Sequence, residues 1–213
     1  MDADARDLKA VIGGDDWPPL FAQFYLRAAQ MLLDKTEAEG FPDVALPILY
    51  LQRHCLELVI KDLTLGCFHL QEARSLASPS LLRITPPKWE HDLPYLVNTL
   101  AKNLNQLQVS AESELSSLSL LATEFAKIEN GSHERLRYAY VEPFKAGLAP
   151  PTSFPTKLDI PVGALQKRLE AVFKICADIN IRDSFLRKLY DAAGIQVVEA
   201  IKAGRISLED DGT

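Results

Sequence analysis

The stretch PILYLQRHCLELVIK, residues 47–61, decides the fold. A helix that begins near Asp43, carries Pro47 in its first turns and runs to about Leu65 is apolar on nearly every side, so it belongs at the centre of a helical core. Four polar side chains interrupt it. At about 100° per residue from Arg53, Glu57 lies near 40°, Lys61 near 80° and His54 near 100°, so all four share one stripe. Glu57 stands four residues from both Arg53 and Lys61, the spacing at which opposite charges on a helix attract. This stripe is either a solvated or partly buried set of salt bridges, or a group of ionisable side chains that a central helix keeps because a cleft needs them. In the second case His54 beside Glu57 is a candidate acid or base.

Outward from this helix, apolar residues recur at helical spacing, and the turn residues fall between the blocks. The fold class is all-α, a bundle of about five or six helices. Asp15, Asp16 and Pro18-Pro19 start a first helix whose stripe is Phe21, Phe24, Tyr25, Ala28 and Leu32, stopped by Gly40. Residues 68–88, with room for a short helix and then Pro79, Pro86 and Pro87, read as a crossing connection. Helical pattern resumes at His91 with Leu93, Leu96, Val97, Leu100 and Leu104 on one face, and again with Leu118, Leu121, Phe125 and Ile128 ahead of Gly131. Four prolines and Gly147 make the next stretch a long loop. Asp159 then caps a helix with Pro161 in its first turn and a stripe of Leu165, Leu169, Val172, Phe173, Cys176 and Ile179. A last helical block, residues 182–202, is open to interruption at Gly194. The expected organisation is a flexible N-terminus (1–14), a helical core (15–142), a Pro-rich loop (143–158), C-terminal helices packing on the core (159–205) and a flexible tail (206–213).

Composition narrows the class. The 213 residues are 47% hydrophobic and 24% charged, the balance of a globular chain. The longest run free of Asp, Glu, Lys and Arg is residues 146–156, broken by three prolines, far short of the roughly 20 apolar residues of a membrane span. No membrane association is expected. Cys55, Cys67 and Cys176 show no close pairing, which argues for small core residues in a reducing cytoplasm. A net charge of −6 argues against indiscriminate attraction to nucleic acid.

Two further places carry chemistry-bearing residues. His91-Asp92 opens a helix, where Asp92 suits the dipole and His91 is either solvent-facing or a partner for His54 and Glu57. Arg135, Arg137 and Tyr138 follow a turn and are either an exposed basic turn or a contact for an anion such as RNA phosphate, which suits the planar guanidinium. A phosphate loop, a nucleophile elbow, an HExxH helix and zinc-spaced Cys/His groups are all absent. No metal or cofactor is expected.

The order of an aromatic-rich first helix, then Arg53-His54, Glu57 and Lys61, then His91-Asp92-Leu93, then Arg137-Tyr138, then Leu158-Asp159-Ile160 before a helix resembles bacterial proteins of the HEPN-like type. The resemblance covers about residues 17 to 180. It implies an all-α core that tends to form homodimers, often in prokaryotic stress, toxin–antitoxin or phage-defence systems. Active members resemble metal-independent ribonucleases whose arginine and histidine, with four to six residues between them, meet their mates at the dimer interface. This chain departs from that pattern. No arginine stands five to seven positions before His54, His69, His91 or His133, and Glu142, Pro143 and Phe144 occupy the positions that would follow Arg137. The expectation is therefore a dimerising interaction module or RNA-associated module, with a partner protein from the same locus, that lacks the ribonuclease pair. The alternatives are a ribonuclease that uses a rearranged set of His54, Glu57, His91 and Arg137, or a small-ligand sensor with its pocket at the polar stripe.

Overall fold

The computed structural model describes residues 21–39, 44–77, 90–130, 136 and 158–205. They form six α-helices, and no strand occurs among them: α1 (Ala22–Glu39), α2 (Ala45–Ala77), α3 (Leu93–Gln106), α4 (Glu112–Glu129), α5 (Val162–Cys176) and α6 (Phe185–Lys202). The protein is all-α. No helix among the described residues is long and apolar enough to cross a membrane.

α2 is the central element, packed against each of the other five helices. Its buried residues Leu56, Val59, Ile60, Leu63, Cys67 and Leu70 are the spine of one core, shared with Leu96 and Leu100 of α3, Leu118 and Phe125 of α4, Leu165 and Leu169 of α5, and Leu186 and Leu189 of α6. α2 is longer than expected, since residues 68–77, read as part of a connection, continue it. Leu70 and Ala73 keep its buried register. Gly66 suits this place because a Cβ there would meet the Cδ1 atoms of Leu186 and Leu189 at 3.2 Å, so its absence lets α6 close on α2.

Three local expectations are corrected. The buried residues of α1 are Ala22, Ala29 and Leu33, while Phe21 and Phe24 point outward. Small residues let α1 approach α2 closely, and the two phenyl rings pair edge-to-face on the surface. Asp159 does not cap α5, whose N-cap position is Pro161 and carries no side-chain cap. Helix α6 passes through Gly194 without a break, starting from the Ser184 hydroxyl, which accepts from the Arg187 amide. The 1–14 and 206–213 tails and the 143–157 loop lie outside the described residues, as do the expected start of α1 at residues 15–19 and its stop at Gly40.

Candidate functional site

The polar stripe of α2 meets the start of α3 and the end of α4, and the three elements close a charge cluster around two side chains that are almost wholly buried: Arg53 at 0% exposure and Glu57 at 1%. Arg53 divides its guanidinium among three helices. Its Nε donates to Glu129 Oε1 at 2.8 Å, Nη1 donates to Glu57 Oε2, and Nη2 donates to the His91 carbonyl. A planar fork of fixed donors suits this role. One arginine thereby ties the last turn of α4 and the entry of α3 to α2.

Local sequence sets those two ends. The Asp92 carboxylate accepts from the Tyr95 amide at 2.6 Å and, with Pro94 in the first turn, starts α3 so that the carbonyl of His91 faces Arg53. Asn130 closes α4 in the left-handed region at φ 47°, a conformation asparagine tolerates, so the helix ends directly after Glu129.

Glu57 is the hub. Its Oε1 accepts from Lys61 Nζ at 2.7 Å and lies 2.8 Å from His91 Nδ1. Its Oε2 faces Arg53 and stands 3.9 Å from His54 Nδ1, an ion-pair separation too long for a hydrogen bond. Burial alone would raise this carboxyl. His54, Lys61, Arg53 and His91 outweigh it and hold the group well below the ordinary carboxylate range. The hub stays ionised, which excludes it as a general acid near neutral pH.

His54 has a second setting. Its ring lies edge-on to Tyr25 of α1 with centroids 4.4 Å apart and stacks on Tyr50 at 5.7 Å, 6° from parallel. Its Nδ1 is buried without a hydrogen-bond partner. The outer edge of the cluster reaches solvent through His91, 32% exposed, and Lys61, 20% exposed.

The structure thus brings together five sequence candidates, Arg53, His54, Glu57, Lys61 and His91, which span 38 residues between their ends. His54 and His91 lie on the two oxygens of one carboxylate. Arg135, Arg137 and Tyr138 lie outside the described residues. Glu129, Tyr25 and Tyr50 were not anticipated. Glu129 had a signal: it follows Leu118 by eleven positions and Phe125 by four, a core register of α4 where a carboxylate demands a buried cation.

The three cysteines are buried thiols. Burial pushes Cys67 and Cys176 up to about 12 and raises Cys55 still further, so none is a nucleophile at neutral pH. Among the described residues no three His, Cys, Asp or Glu side chains are disposed to hold a metal ion. No family model, curated protein or solved structure matches the chain.

Proposed function

We propose that this chain is a dimerising helical module of the HEPN-like type, serving a prokaryotic stress, toxin–antitoxin or phage-defence system and contacting RNA phosphate through the outer edge of the Glu57 cluster without cleaving the strand. The observation that carries this reading is the sharing of Glu57 Oε1 by His91 Nδ1 and Lys61 Nζ at 2.8 and 2.7 Å. A buried anion fixes an imidazole and an ammonium side by side at the surface, where the Lys61 ammonium keeps N–H donors that suit a phosphate oxygen. The inner half of the cluster does different work. Arg53 is buried and its guanidinium is committed to Glu57, Glu129 and a backbone carbonyl, so it holds helices together and does not meet a substrate.

Binding of a fluorescent oligoribonucleotide tests this. We expect binding that weakens with salt and that Lys61→Ala weakens further while circular dichroism stays unchanged. Equal binding by the native chain and by Lys61→Ala would contradict the reading.

A second reading, a ribonuclease with a rearranged site, draws support from the same His91–Glu57 contact, since a carboxylate on one ring nitrogen orients an imidazole for proton transfer from the other. Incubation with mixed RNA, with and without divalent metal, separates the two. Cleavage by the native chain that is lost in a folded His54→Ala, His91→Ala double variant would replace the binding reading with the enzymatic one.

A further inference from the structure

Among the described residues, nothing lies upon the apolar strip on the outward face of α6. At about 100° per residue, Asp191, Gly194, Ile195, Val198 and Lys202 fall within one stripe opposite the buried Leu186, Leu189, Ala193 and Ala200. Ile195 is 58% exposed and Val198 48%. With Tyr190 and Glu199 at its sides, the stripe lines a shallow groove of about 600 Å³. Gly194 sits in the middle, and nothing lies within 4 Å of where its Cβ would be. Packing among the described residues does not require that glycine, and a helix interior disfavours it.

We infer that this face pairs antiparallel with the same face of a second copy of the chain, about an axis between Ile195 and Val198. The inference rests on the reading above that the chain dimerises, and it assigns the surface. Charge selects the partner and its direction. In an antiparallel pair with that centre, Ile195 of each copy meets Val198 of the other, and Asp191 of each, whose Oδ1 also accepts from Arg187 Nε of its own helix at 3.0 Å, meets Lys202 of the other. A parallel pair would set Asp191 against Asp191 and Lys202 against Lys202. The same register puts Glu199 opposite Gly194, where the missing side chain leaves it room. An isologous contact of this kind closes on itself as a two-fold dimer. One helix face is a small interface, so self-association is concentration-dependent.

The location has a functional consequence. α6 closes on α2 at Gly66, which at about 100° per residue lies near 220° from Arg53, with the Arg53, Glu57 and Lys61 stripe on the far side. Pairing through α6 leaves both Glu57 clusters uncovered, one on each copy.

Sedimentation equilibrium of the full chain over a wide micromolar range tests the assignment, with circular dichroism to confirm folding. The native chain should show a monomer–dimer equilibrium that Ile195→Asp weakens by about tenfold or more. Asp191→Lys and Lys202→Asp should each weaken it several-fold, and the two together should restore it. A native dimer that none of these changes moves would overturn the α6 assignment while leaving dimerisation standing. A native monomer at every concentration would overturn both. Because these side chains are on the surface, the charge-reversal pair keeps the test decisive should Ile195→Asp perturb the fold.

Discussion

α2 carries a carboxylate on each of two opposite faces, Glu57 buried and Asp62 half-buried, and the two have opposite fates. Glu57 faces α3 and α4 amid Arg53, Lys61, His54 and His91 and is held ionised, below the ordinary range. Asp62, five residues on and about 140° around the helix, lies towards the α6 side beside Cys55 and Tyr190, whose thiol and phenol its charge helps to raise. Its Oδ2 is buried without a hydrogen-bond partner, and burial pushes its carboxyl up to about 7. Desolvation acts on both groups, so the difference comes from partners: four positively charged or protonatable groups surround one, while the other has an apolar seam. A helix can keep a paired carboxylate ionised on one face and favour the protonated form of an unpaired one on another.

The largest way to break this contrast is Glu57→Ala. It takes one of Arg53's carboxylate partners from a buried guanidinium and removes the carboxylate shared by Lys61 and His91, so the fold should lose about 3–5 kcal/mol, read as a lower midpoint in urea unfolding. An unchanged midpoint would mean that the cluster is not a structural hub.

Next in size is Asp62→Asn. Unfolded, Asp62 titrates near 3.8, and folded near 7. Between these values the native state keeps a proton that the unfolded chain has lost, so this group's contribution to stability falls as pH rises from about 4 to 7 and is level above. Asp62→Asn removes that slope. The variant should be more stable than the native chain by about 1–2 kcal/mol at pH 8 and should converge with it towards pH 5, by thermal unfolding at both. Glu57 gives the opposite sign: its stabilisation is present above 4.5, its ordinary value, and is lost as pH falls below that.

The smallest effect sharpens the picture of α6. Gly194→Ala at low protein concentration should raise the melting temperature, by about 0.5–1 kcal/mol of stability, because alanine is the better helix former and the space is open. A loss of stability would show that the fold itself needs the glycine.

How much of this was legible in the sequence follows from the range of the interactions. Helix class and the α3 and α4 cores were readable because Leu93 to Leu104 and Leu118 to Phe125 repeat at local spacing. The Arg53, Glu57 and Lys61 stripe was readable for the same reason. The length of α2 was obscured by Gly66, since a glycine that ends a helix and one that admits a neighbouring helix look alike in one chain. Phe173, Phe185 and Leu189 are buried inside this chain's own core while Val198 is exposed, a difference set by which helix covers each residue, which helical spacing alone does not give. The role of Glu129 depends on a partner 76 residues away, and local periodicity does not report such contacts. Asp62 was overlooked because its cost arises from α6, more than a hundred residues later.

The central claim is that burial raises both α2 carboxylates and that partners alone make the difference between them. Carboxyl-carbon NMR titration of Glu57 and Asp62 in the folded chain tests it most directly. The account predicts that Asp62 titrates near 7 while Glu57 stays ionised through the ordinary carboxylate range until acid unfolds the protein. If both groups titrate together near their ordinary values, or if Glu57 takes up its proton before Asp62 as pH falls, the account is contradicted.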